Sequence, residues 1–165
     1  IIIENVLTNG YRFRKGDPDY YKYLTQGTPA MEHYSFDKNY RRLWGRDIRN
    51  YADLYNHIDI ALIPLRENKF NQCKSELKII EAGWMGKAVI VSDIFPYKKW
   101  IKNGFNGLTV LNNSQDWFIK IRKLILDREL VKELAANLQK TIKENFDIKL
   151  WNLKRLNLYR SLTNK

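Results

Sequence analysis

The stretch DIALIPLRENKFNQCKSELKIIEAGWMGKAVIVSD, residues 59–93, decides the fold. DIALIPL (59–65) is a short continuous apolar run closed by a proline, the pattern of a strand buried on both faces as in a parallel sheet. RENKFNQCK (66–74) reads as a polar loop. SELKIIEAGWM (75–85) has helical spacing, with its start at Ser75 and Gly86 as the residue that stops it. KAVIVSD (87–93) is a second buried strand. Strand, helix and strand in this order define an α/β unit with parallel strands.

Working outward, DIRNYADLYNHI (47–58) places Ile48, Tyr51, Leu54, Tyr55 and Ile58 on one side and predicts an amphipathic helix. Downstream of Pro96, YKKWIKN predicts a short helix. Gly104 and Gly107 bracket a turn, and GLTVL (107–111) predicts a third strand. The remainder is helical. SQDWFIKIRKLILD carries Trp117, Ile121, Leu124 and Ile125 on one face, and RELVKELAANLQKTIKENF follows a tight turn. KLWNLKRLNLYRSL closes the chain, with Leu150, Leu153, Leu156 and Tyr159 spaced to pack on the body. Upstream, IIIENVL and AMEHYSF (30–36) suit strands. DPDYYKYL (17–24) suits a short helix with Asp17 as cap and Pro18 at its first position. The expectation is one domain, 1–165: a Rossmann-like, doubly wound parallel sheet with helices on both faces and a helical C-terminal tail.

Composition narrows the function. The 165 residues are 44% apolar with a formal charge of +11, enough for one domain with a core. No apolar run approaches the roughly 20 residues that span a bilayer. IIIENVL is too short for a signal peptide, carries Glu4 and lacks the basic flank. The single cysteine, Cys73, leaves no internal disulfide framework and fits a reducing cytosol. His33, His57 and Cys73 offer no metal-ligand spacing, so no metal is expected. The charge raises nucleic acid, anionic lipid and phosphorylated substrates as partners. It is spread along the chain, however, with modest clusters at 11–15 and at Arg41 and Arg42. No nucleic-acid motif accompanies it, and a solvated basic surface is the simpler reading.

The loop 66–74 leaves a strand end, where ligands of open α/β sheets bind. It enters a helix whose first N–H groups, at Glu76 and Leu77, make an anion site. Lys74, Lys78 and Glu81 fall on one face of this helix, while Leu77, Ile80 and Trp84 are expected toward the sheet. Ammoniums and N–H groups suit phosphates, and a carboxylate suits a ribose diol. Spacing alone equally allows, and favours, an ordinary surface helix with ion pairs worth only a few tenths of a kcal/mol each. Cys73 reads as a loop residue. His33 and His57 read as packing or dipole partners. Trp84, Trp117 and Trp151 read as core, with Trp44 and Trp100 open to exposure.

The ordered set Ser75, Lys78, Glu81, Gly86, Val89, Ile90 and Ser92 resembles the donor-binding half of retaining GT-B glycosyltransferases of the glycosyl transferases group 1 family. That family often shows S-P-x-K-x-x-E-x-x-A-x-G-x-P-V-[IV]-A-[ST]. The apolar-Pro strand end of DIALIPL resembles it too, as do Pro96-Tyr97 and the series Ile101, Gly104, Asn106, Gly107. The resemblance runs from about Tyr51 to Val110, and the helical tail is also similar. It implies the C-terminal half of a two-domain enzyme that transfers a hexose-type sugar to a glycan or lipid-linked acceptor. It also implies a nucleoside diphosphate sugar as donor with no cofactor or metal, and a separate N-terminal acceptor domain. The implied setting is the cytoplasm or the inner face of the membrane, with no nucleic-acid partner.

By this resemblance Glu81 accepts from the ribose hydroxyls and Lys74 and Lys78 pair with the diphosphate. The Ser75 hydroxyl and the N–H groups of Glu76 and Leu77 cap it, and Arg66 and Lys69 stand as further phosphate candidates. Arg46 is a candidate near the base, and Arg12, Arg14 and Lys15 are candidates for the family's diphosphate-binding Arg and Lys. Where the family carries the first of two glutamates, this chain has Cys73. The alternative reading is therefore a non-catalytic nucleotide- or anion-binding module with a degenerate site.

Overall fold

The computed structural model describes residues 49–163 together with the backbone of 3–4, 33–34 and 41–42. The expected helix at 17–24, Trp44, Arg46, Arg12, Arg14 and Lys15 lie outside the described residues.

The sheet has four parallel strands in the order β1 (Ile3–Glu4), β4 (Ile60–Ile63), β5 (Ala88–Ser92) and β6 (Leu108–Val110). Strand β2 (His33–Tyr34), within the stretch expected to be extended, pairs antiparallel with β3 (Arg41–Arg42) in a separate ribbon. In β4 and β5 successive side chains feed opposite cores. Ala61, Ile63, Val89 and Val91 join Tyr55, Ile58, Ile79, Ala82, Leu138 and Ile142 on one face. Ile60, Ala88 and Ile90 join Leu108, Val110, Leu124, Leu134 and Ala135 on the other. Both faces of these strands are covered, which is why the sequence shows unbroken apolar runs rather than alternation.

Among the described residues, five α-helices follow in chain order: α1 (Lys69–Gln72), α2 (Leu77–Trp84), α3 (Ser114–Leu126), α4 (Arg128–Asn145) and α5 (Ile148–Thr163). Asparagine and aspartate side chains set three of the starts. Asn68 accepts from the Asn71 N–H, Asn113 from the Asp116 N–H and Asp127 from the Leu130 N–H, each satisfying one orphan donor of a first turn. Helix α2 ends as expected at Gly86, whose φ is +66°. The Gly86 N–H reaches the Gly83 carbonyl and the Lys87 N–H the Ala82 carbonyl, the paired bonds of a Schellman stop.

Several expectations are corrected. The segment 47–58 contains a 3-10 helix, Tyr51–His57, rather than an α-helix, although Leu54, Tyr55 and Ile58 are buried as its spacing implied. The polar loop 66–74 contains α1, begun by the Asn68 cap. Helix α2 starts at Leu77, two residues after Ser75, with Glu76 at the N-cap position. Its buried stripe is Ile79, Ala82 and Gly83, whereas Leu77 is 55% exposed and Trp84 50%. The reason is a second neighbour. Besides the sheet, α2 meets α4, and a Cβ built on Gly83 would lie 2.5 Å from Ile142 Cγ1 and 2.9 Å from Leu138 Cγ. Gly83 therefore meets α4 where a larger side chain would clash, and Leu77 and Trp84 turn outward.

The tail differs as well. No residue of α5 is buried: Leu150, Leu153, Leu156 and Tyr159 are all exposed, as is Trp151. The helix runs on after the core is complete, so its apolar side chains find no wall in the described structure. Trp100, open to exposure on sequence, is half-buried, with its ring 4.5 Å from that of Phe146.

Candidate functional site

At the carboxyl end of β4 the chain passes through Pro64 and Leu65 into the segment that carries the basic residues. Its first step is held at both backbone polar groups of one residue. The Leu65 N–H donates to Ser92 Oγ at 2.8 Å, and Asn112 Nδ2 donates to the Leu65 carbonyl at 2.8 Å. Ser92 Oγ in turn donates to Asn112 Oδ1 at 2.6 Å. Ser92 is fully buried at the end of β5, and Asn112 follows β6, so this ring ties together the carboxyl ends of three strands. The next residue is held too, since Asn71 Nδ2 donates to the Arg66 carbonyl at 2.6 Å. Asn71 is itself buried. The loop is thus preorganised by four polar side chains, Asn68 included.

Beyond this loop, Lys78 and Glu81 lie on α2 as the spacing implied, whereas Lys74, expected on the same helix face, precedes the helix. Lys78 is half-buried, and its ammonium is held below the ordinary lysine value by burial first and by Lys74 second, with Glu81 opposing. Lys74 is exposed and lies 5.4 Å from the centre of the Phe70 ring, within cation–π range. Ser75 is exposed and Glu76 partly so; neither side chain caps α2. By helix geometry the first N–H groups of α2 have no intrahelical acceptor. Arg66 and Lys69 are exposed on the same segment. Cys73 is exposed at the end of α1, its thiol donating to the Lys69 carbonyl at 3.4 Å.

Glu81 has a partner that the sequence reading missed. The Tyr55 hydroxyl donates to Glu81 Oε2 at 2.9 Å. Spacing assigned Tyr55 to packing only. The available signal was chemical: a tyrosine at a fully buried position needs an acceptor for its O–H, whereas a leucine there would not. Glu81 also lines a groove of about 430 Å³ with Tyr51, Ala52, Tyr55, Ile80, Trp84 and Met85. This groove is lined from both the 3-10 helix and α2, with Trp84 in its wall. Ser92 belonged to the sequence pattern; Asn112, its partner, carried no signal because both its contacts are remote in sequence.

Among the described residues no three His, Cys, Asp or Glu side chains gather where a metal ion could be held. Among them also, no helix is long and apolar enough to cross a membrane.

A parallel α/β sheet with helices on both faces and a basic segment after the carboxyl end of one strand defines a Rossmann-like fold. Residues 21–127 match the family described as Glycosyl transferases group 1. That is more than half of the chain, and the chain belongs to this family.

Solved structures share the fold. Sucrose-phosphate synthase from Thermosynechococcus elongatus superposes with a TM-score of 0.60 at 20% identity, over 67% of this chain and 27% of that one. The Anabaena protein HepE, in complex with UDP and glucose, gives a TM-score of 0.57 at 21% identity, over 66% of this chain and 29% of its own. The C-terminal domain of the glycosyl transferase group 1 family protein LpcC from Francisella tularensis gives 0.52 at 23% identity, covering 70% and 52%. No curated protein matches the sequence significantly. The chain spans less than a third of the length of the synthase and of HepE.

Proposed function

We propose that this chain is the nucleotide-sugar donor-binding domain of a glycosyltransferase that moves a hexose-type sugar to a glycan or lipid-linked acceptor in polysaccharide biosynthesis. The observation that carries the reading is Lys78 and Glu81 one turn apart on α2, with Lys74 just before it, in a member of this family. Binding of UDP and glucose by the similarly folded HepE supports it.

In this reading Glu81, as an ionised carboxylate, accepts from the ribose hydroxyls. Lys74 and Lys78 neutralise the diphosphate, and Ser75 and the N–H groups of Glu76 and Leu77 cap it, with Arg66 as a further cation. When the sugar–oxygen bond breaks, negative charge grows on the departing nucleoside diphosphate. Preorganised cations at that position stabilise the transition state. The acceptor side of the cleft belongs to a second domain, for which the short coverage of the synthase and HepE chains is support. A cytoplasmic setting with peripheral membrane contact goes with a charge of +11.

The test is calorimetric titration of the protein with UDP- and GDP-sugars, and of its E81A variant. One donor is expected to bind, with affinity about tenfold or more lower in E81A, the loss typical of a hydrogen bond to a charged group. Binding that ignores E81A would overturn the assignment of Glu81. A second reading, a non-catalytic module with a degenerate site, rests on Cys73 in place of a family glutamate; it gains if neither donor binds.

A further inference from the structure

We propose that Tyr55 is a positioning residue for donor binding: its buried hydroxyl clamps one oxygen of Glu81 and so presets the carboxylate for the ribose diol. This inference rests on the assignment of Glu81 made above.

A glutamate on a helix surface has three rotatable side-chain bonds. Ordered only when ligand arrives, it forfeits their freedom at that moment, and affinity falls accordingly. Here the ordering is built into the protein. Tyr55 is 1% exposed and belongs to the core with Ile58, Ala61, Ile79 and Ala82. Tyr51 adds an edge-to-face contact, ring centres 6.5 Å apart. The ring therefore has no alternative position, and its O–H stands 2.9 Å from Glu81 Oε2.

Burial, and then the adjacent Glu81 charge, push the Tyr55 phenol far above its ordinary value. It stays protonated at every working pH and remains a donor. A carboxylate has roughly four acceptor positions on two oxygens. One bond from Tyr55 fixes the rotamer and still leaves capacity for two hydroxyls. Tyr55 and Glu81 are 26 residues apart in sequence, so the clamp forms only when the 3-10 helix and α2 are both docked. The groove lined by Tyr51, Trp84 and Met85 keeps the carboxylate accessible beside this clamp.

Calorimetric titration with UDP and 2′-deoxy-UDP, and with GDP and 2′-deoxy-GDP, tests the proposal in wild type, Y55F, E81A and Y55F/E81A. Phe keeps the ring and its packing, and half-exposed Glu81 can turn to water, so the Y55F protein retains its fold. Wild type should prefer the ribonucleotide. Y55F should weaken ribonucleotide binding about five- to tenfold, the cost of ordering a long side chain on binding. It should weaken the deoxynucleotide, which keeps one hydroxyl on Glu81, by less, and have no further effect on the E81A background.

Equal losses for both sugars in Y55F, or an unchanged preference, would overturn the role of Tyr55 while the donor site stands. A wild type that binds both sugars equally would overturn the Glu81 assignment and the clamp together.

Discussion

Lys78 is the residue whose chemistry is most exposed to a simple measurement. Its ammonium is half-buried and neighbours Lys74, so the charged form is disfavoured relative to a free lysine. Two consequences follow with defined sign. The unfolded chain holds this proton up to the ordinary value near 10.4, whereas the folded chain releases it earlier. Between those values the unfolded state binds more protons, so Lys78 makes stability rise with pH across that window. Anion binding runs the other way, because the neutral amine gives up its attraction for phosphate. Affinity for UDP or GDP should therefore break downward at a pH below 10.4, and K78M should remove that break while lowering affinity at neutral pH. Titrations from pH 7 to 10 would check both. A profile identical in wild type and K78M would remove Lys78 from the phosphate site.

At the scale of elements, the contact between α2 and α4 is the one to perturb. Alanine is favoured over glycine inside a helix by about 1 kcal/mol. Yet a Cβ at Gly83 would meet Ile142 Cγ1 at 2.5 Å and Leu138 Cγ at 2.9 Å. Overpacking of this kind costs roughly 1–3 kcal/mol. G83A is expected to lower the denaturation midpoint, and a midpoint at or above wild type would show that α4 moves aside. The same contact explains what could be read in advance and what could not. The strands β4 and β5, the stop at Gly86 and the helices α3 and α4 were legible, because their signals are local runs, caps and periods. The buried face of α2 was not: Leu77 and Trp84 look like core residues until α4, some 50 residues later, is known to press on Gly83. Within the site, Lys78 and Glu81 were legible from spacing along one helix, while Lys74 proved to precede it. Tyr55 and Asn112 were not, because their partners are reached only through the tertiary fold.

For the whole molecule, two properties oppose each other. The chain carries a formal charge of +11. It also ends in α5, where Ile148, Leu150, Trp151, Leu153, Leu156, Leu158, Tyr159 and Leu162 are all exposed beside Lys149, Lys154, Arg155 and Arg160, with no acidic residue among them. So many exposed large apolar side chains on one helix favour association in water, and like charge is what keeps copies of such a molecule apart. That repulsion reaches about 10 Å at 0.1 M salt but only about 3 Å at 1 M, whereas apolar attraction does not weaken with salt. The protein on its own is therefore expected to be kept dispersed by its charge. Its light scattering should grow as sodium chloride is raised from 0.1 to 1 M, and changing Leu153 and Leu156 to Gln should suppress that growth without lowering the melting temperature.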